Sequence, residues 1–227
     1  MKQLLISMLT VFSFYFSHAQ LEKSNSLLEG SFNISGNSRT EDFRTFGGIG
    51  EFENRGNFIF IAPRVGWFTT NNSLFGVGLV YQSNTNKSFS FTNGTRTSTF
   101  ITRNNLFAIN PYYRKFSQLT DKLYLTTTVD AAIGFGKEKN DNDGQDIESN
   151  IFNASLTVSP GLTYFISDKW AIQTSVGQLF YQFRQSTLQT DLGQQGDPKN
   201  ESNNYGVSLN LNTFRIGLQY FLSRKAG

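Results

Sequence analysis

Apolar and polar residues alternate one by one along much of this chain. That period of two predicts β-strands with one oily face and one wet face. The clearest run sets Phe152, Ala154, Leu156, Val158, Pro160, Leu162, Tyr164 and Ile166 against Asn153, Ser155, Thr157, Ser159, Gly161, Thr163 and Phe165. A second sets Leu123, Leu125, Val129, Ala131, Ile133 and Phe135 against Thr126, Thr128, Asp130, Gly134 and Gly136. Weaker alternation marks Phe32 and Ile34, Ile59 to Trp67, Phe75 to Tyr81, Phe107 to Tyr113, and Trp170 to Val176. The last strand runs from Tyr205 to Leu222 and slips phase at Thr213, where a β-bulge would keep both halves on one face. These runs predict eight strands, and an even number suits a closed, up-and-down antiparallel transmembrane barrel.

Connections between the runs alternate short and long. Thr69 to Ser73, Ser117 to Lys122 and Ser167 to Lys169 read as tight turns. The stretches Arg39 to Arg55, Lys87 to Thr99, Lys137 to Ser149 and Gln185 to Asn204 are rich in Asn, Gly, Asp and Ser and read as long loops. Short turns at one end and long loops at the other are the pattern of outer-membrane barrels.

A repeat runs through the same strands. Pro63, Pro111 and Pro160 each stand five residues before a phenylalanine, Phe68, Phe116 or Phe165, just ahead of a short turn. Ile216 to Phe221 keeps the spacing without proline. The chain therefore reads as repeated hairpins. Because proline cannot donate to a ladder and a closed barrel has no edge, a bulge or a non-bonded site is expected at each one.

Composition changes the picture in one respect. Aromatic residues make up 15% of the chain and charged residues only 16%, against roughly 25% charged in an ordinary soluble domain. Mean hydropathy is -0.33, too low for helical spans, yet it fits apolar side chains spread singly along lipid-facing strands. The rival reading is aromatic packing inside a soluble β-sandwich. A net charge of +3 gives no footing for a nucleic-acid partner.

At the start, Met1-Lys2, an apolar run from Leu4 to Phe16 and Ser17-His18-Ala19 have the order of a secretory signal peptide, with cleavage expected after Ala19. The apolar run is too short for the roughly 20 residues of a spanning helix. The expected organisation is a signal peptide over residues 1–19 and one barrel domain over residues 20–227. There is no cysteine, which removes disulfides, thiolate metal sites and a lipoprotein anchor.

The rhythm of eight strands, the repeated Pro-to-Phe endings and the segment Arg215-Ile216-Gly217-Leu218-Gln219-Tyr220-Phe221-Leu222 together resemble the outer-membrane β-barrel proteins of the small OmpX-like and OmpW-like kind. The resemblance covers about residues 28 to 222. It implies an outer-membrane location, contact with membrane lipid, and use of Arg215 to Leu222 as an insertion signal for the barrel-assembly machinery. It implies no particular activity.

Candidate chemistry is sparse. Trp67, Tyr113, Tyr164, Trp170 and Tyr220 fall on the apolar face near the short turns, and Tyr81, Phe135, Phe152 and Tyr205 fall near the long loops, as two aromatic girdles would. By parity Arg64, Arg114, Asp130 and Arg215 point into the lumen. Asp130 is the one acid assigned there, so it is expected to pair with one of the arginines. Such a cluster reads either as a plug of ion pairs or as a selectivity ring. The plug is favoured, because eight strands enclose little more than side chains. Small inward residues such as Gly76, Gly78, Ala132, Gly134, Ser155 and Gly161 leave room, and the sequence leaves open whether Phe60, Tyr112, Tyr124, Phe165 and Phe221 fill it. The only histidine is His18, so the mature chain would lack the usual base for hydrolytic chemistry. Asp141-Asn142-Asp143-Gly144 has part of a calcium loop but no later bidentate glutamate, and reads as a solvated turn. No residue set points to a catalytic centre, a metal site or a cofactor. The expected role is non-enzymatic, anchoring polar surface loops, with a small-solute or porin-like channel as the alternative.

Overall fold

The computed structural model describes Leu21 and residues 25–45, 48–189, 198–208 and 215–222. Ten strand segments make up nearly all of this and no helix occurs among the described residues: β1 (Ser26–Thr45), β2 (Gly48–Thr70), β3 (Ser73–Thr92), β4 (Thr95–Gln118), β5 (Leu123–Asn142), β6 (Gln145–Phe165), β7 (Trp170–Ser175), β8 (Gln178–Leu188), β9 (Lys199–Ser208) and β10 (Arg215–Leu222). Each strand from β1 to β6 pairs antiparallel with the next; β7 pairs with β6, β10 with β7, and β10 returns to β1. The result is a closed ring of eight antiparallel strands, with β8 and β9 continuing it alongside β6. The expected signal peptide lies outside the described residues, as does the expected bulge at Thr213.

β7 and β8 are one strand broken at Val176 and Gly177. Pairing to β6 passes from Gly161↔Ser175 to Val158↔Leu179, three steps on β6 against four on the other side. One extra residue is a bulge, and Gly177 takes the φ of +123° that it requires.

The three tight turns stand where the sequence places them, but most of the long loops do not exist as loops. Residues 87–92 and 95–99 continue β3 and β4 to a two-residue turn at Asn93-Gly94, and residues 137–142 and 145–149 continue β5 and β6 to Asp143-Gly144. These four turn residues have φ of 50°, 75°, 50° and 88°. Asn-Gly and Asp-Gly reach such angles at little cost, and the turn they make matches the twist of the flanking strands. Likewise β1 and β2 pair up to Thr45↔Gly48. β8 reaches Leu188 and β9 begins at Lys199, so residues 185–188 and 199–204 of the predicted loop are also ladder. Their content of Asn, Gly, Asp and Ser hid these extensions, and the one alternating stretch, Ser88-Phe89-Ser90-Phe91, is too short to announce a strand beside it.

Each proline interrupts the ladder on one side only. Between β2 and β3 the pairs run Ile61↔Tyr81, then Arg64↔Gly78, skipping Pro63 without changing register. Between β4 and β5 they run Ile109↔Ile133, then Tyr112↔Asp130, skipping Pro111 in the same way. The Asn110 side-chain amide donates to the Ala131 carbonyl at 3.0 Å, replacing the donor that Pro111 lacks. Pro160 stands beside the β7–β8 bulge, where its carbonyl accepts from the Val176 N–H at 3.1 Å.

The repeated phenylalanines have a common task. Phe68, Phe116, Phe165 and Phe221 all point inward and are buried. With Tyr124 they form a closed ring of contacts across the short-turn end, with centroids 4.8–6.3 Å apart. Each phenylalanine N–H donates to the carbonyl just ahead of an odd-numbered strand: Asn25, Asn72, Lys122 and Lys169 respectively. Leu27, Leu74 and Ala171 complete this apolar floor.

Outward, the ring is a belt of exposed apolar side chains. Ile61, Tyr81, Phe107, Phe135 and Phe152 lie in one direct cross-strand row over β2 to β6. Tyr81 and Phe107 pack with tilted rings at 4.7 Å, and Phe135 and Phe152 likewise at 5.3 Å. Near the short turns Trp67, Phe75, Tyr113, Tyr164 and Trp170 are exposed, with Trp170 against Tyr220 at 4.7 Å.

Candidate functional site

Directly above the aromatic floor, four charged side chains from four strands meet inside the ring. Arg114 on β4 is almost fully buried and grips Glu29 on β1 with two parallel bonds, Nη1 to Oε2 at 2.8 Å and Nη2 to Oε1 at 2.9 Å. Its Nε donates to Thr128 Oγ1 at 2.9 Å. Arg64 on β2 pairs with Asp130 on β5 at 2.8 Å, donates to Asn110 Oδ1, and stands 3.9 Å from Glu29. Gln219 on β10 donates to Glu29 Oε2 at 2.7 Å and to Gln173 Oε1 at 2.6 Å, tying the first and last strands of the ring together. Two cations and two anions leave this layer neutral, as burial requires.

Tyr112 is the pivot. Its ring lies between the two guanidinium groups, 5.1 Å from Arg64 Cζ and 5.4 Å from Arg114 Cζ, within cation–π range. Room for it is made by missing side chains: a Cβ on Gly76 would stand 2.5 Å from the tyrosine ring, and one on Gly66 would stand 2.8 Å from its hydroxyl. Gly78 in turn clears the Arg64 stem, its Cβ position being 2.7 Å from Arg64 Cγ.

Of the sequence-predicted cluster, Arg64, Arg114 and Asp130 do converge. The side chain of Arg215 lies outside the described residues, although its backbone pairs with Ser175. Asp130 is not the only inward acid. Glu29 takes the more buried place and Arg114 with it, while higher up Glu138 pairs with Arg184 at 2.9 Å. Glu29 was legible in principle: it stands at odd parity against outward Leu28, Phe32 and Ile34, but so short an apolar run hid the strand's true start. Tyr112, Tyr124, Phe165 and Phe221 are buried in the interior, whereas Phe60 stacks on Phe58 at 6.5 Å and borders open space.

Two polar cavities adjoin the ion pairs. One, of about 300 Å³, is lined by Arg64, Asn110, Thr128, Asp130, Thr157 and Gln178. The other, of about 210 Å³, lies between Glu29, Phe60, Arg64, Arg114 and Gln219. The described residues contain no group of three or more His, Cys, Asp or Glu able to hold a metal ion. What the arrangement can do chemically is hold charge in fixed pairs beside room for small polar molecules.

Residues 4–227 match the family model described as "Domain of unknown function (DUF5916)". No curated protein matches the chain. The match spans almost the whole sequence, so the chain belongs to that family.

Proposed function

We propose that this member of a family without an assigned activity is a non-enzymatic outer-membrane β-barrel, inserted by its ring and carrying β-hairpins at the cell surface. The observation that supports it is the outward apolar belt. On β6 the outward residues run apolar from Phe152 to Tyr164, twelve steps. At ~3.3 Å per step and ~40° of tilt that spans roughly 30 Å, the depth of a bilayer's hydrocarbon. A water-soluble ring would have to cover such a face. The resemblance to OmpX-like and OmpW-like barrels agrees with this reading, and the proposal includes a signal peptide over residues 1–19 that is cleaved and recognition of Arg215 to Leu222 by the barrel-assembly machinery.

A closed ring satisfies its ladder bonds internally, so the mature protein in mild detergent should run differently on a gel before and after boiling, and should fractionate with the outer membrane. Identical migration, or recovery from the soluble periplasmic fraction, overturns the reading and restores the sandwich. A small-solute channel is the second reading, favoured by the polar cavities beside Arg64 and Asp130. The aromatic floor beneath them argues for the plug, and the absence of steady ion-selective current across a planar bilayer is the expected result.

A further inference from the structure

We propose that the outward face of β2 to β5 carries a docking belt for the phosphate groups of anionic lipid headgroups, in the leaflet nearest the hairpin turns. The proposal rests on the membrane-spanning reading above. Its observation is a coincidence of height. Arg55 lies 15 residues from Thr70, the short-turn end of β2; Lys87 lies 14 from Ser73; Arg103 lies 15 from Gln118; Lys137 and Lys139 lie 14 and 16 from Leu123. All five share the parity of the outward residues Ile61, Tyr81, Phe107 and Phe135, and no register shift lies between each cation and the outward residue of its own strand. At ~3.3 Å per residue and ~40° of tilt they stand roughly 35 to 40 Å above the short turns, just past the aromatic row and at headgroup depth. Lys137 is the next outward residue after Phe135.

The belt is electrostatically unfinished within the protein. Arg55 directly faces Lys87, and Arg103 directly faces Lys139, an arrangement of like charges that is unfavourable by itself. Glu53 compensates Arg55, and Asp146 with Glu148 compensates Lys139. Among the described residues Lys87, Arg103 and Lys137 have no acidic partner. They sit on three adjacent strands and step along them two residues at a time, so that neighbours in the series stand about 8 Å apart and Lys87 and Lys137 about 16 Å apart at the ~4.8 Å strand spacing. At the same height β1 presents Thr40 and β6 presents Asn150, so the continuous run of cations covers β2 to β5, with Lys199 of β9 further along the row of Lys137 and Asn150. Cations that emerge outward where the apolar face ends meet headgroups first. Phosphate suits them: the arginine fork takes two oxygens and each lysine supplies a point charge.

The test is native mass spectrometry of the detergent-solubilised full mature chain with equimolar phosphatidic acid and phosphatidylcholine. The wild type should retain phosphatidic acid preferentially, and less so as salt rises. Each cation near an anionic surface contributes about fivefold, so the combined Lys87→Gln, Arg103→Gln, Lys137→Gln variant should lose at least tenfold of the preference. Lys115→Gln with Lys169→Gln, at the other end, should keep it. Equal retention of both lipids by the wild type, or an unchanged preference in the triple variant, overturns the proposal. So does equal displacement by inorganic phosphate at lipid concentration, which would mark a free-anion site. The heat-dependent gel shift certifies each variant's fold; if the triple variant lacks it, Lys137→Gln alone should still lose about fivefold. Failure of the wild type to show the shift or enter vesicles of either lipid would instead sink the membrane reading.

Discussion

Replacing Glu29 with glutamine keeps its volume but removes the charge between Arg114, Arg64 and Gln219. Arg114 would then be an almost fully buried guanidinium without its carboxylate. Breaking a buried pair by removing one partner costs roughly 3 to 5 kcal/mol. The 210 Å³ cavity beside the pair admits screening and glutamine still accepts one bond, so the lower end, about 3 kcal/mol, is expected. Asp130→Asn should cost far less, about 1 kcal/mol: Arg64 is a quarter exposed and keeps Asn110 as an acceptor. Combining Glu29→Leu with Arg114→Leu should recover most of the loss, because no charge is then stranded. Urea unfolding of the protein in lipid vesicles, followed by the fluorescence of Trp67 and Trp170, measures all three. An Asp130→Asn cost equal to or above that of Glu29→Gln, or a double replacement worse than the single one, would refute the assignment of Glu29 and Arg114 as the dominant pair.

Leu156→Arg should destabilise the vesicle-inserted protein by roughly 2 to 4 kcal/mol, while Thr157→Arg, which borders the interior cavity, should cost clearly less; comparable values would mean the two faces are misassigned. Gly76→Ala should cost about 1 to 3 kcal/mol, since its new methyl meets the Tyr112 ring and the Val65 carbonyl, both at 2.5 Å, whereas Gly30→Ala, with nothing nearer than 3.6 Å, should stay within about 0.5 kcal/mol. Similar unfolding midpoints for the two alanine variants would show that the ring adjusts around Tyr112. Phe116→Ala opens the aromatic floor between Phe68 and Tyr124 and should cost about 3 to 5 kcal/mol; a loss below 1 kcal/mol would mean that the floor is not tightly packed.

Alternation made the lower half of every strand legible, because there one face meets the interior and the other does not, and a period of two records that difference residue by residue. It sorted Leu156 from Thr157 and sent Arg64, Arg114 and Asp130 inward with no other information. The Pro-to-Phe spacing also announced itself, since three strands reach their short turns in the same way. The upper halves were different. There the period is short or lost, and Asn93-Gly94 and Asp143-Gly144, which carry hairpin turns, stand in stretches whose composition is that of long loops. Pairing was beyond the chain's pattern altogether. Whether Arg114 takes Glu29 or Asp130 depends on the stagger of strands 85 residues apart, and a stagger is a property of the closed ring, in which β10 must meet β1. The five-membered aromatic floor, the tyrosine held between two arginines over absent side chains, and cations from four strands arriving at one height exist only after closure. Residue type determined which face each side chain would take; the ring alone decided which side chains would meet.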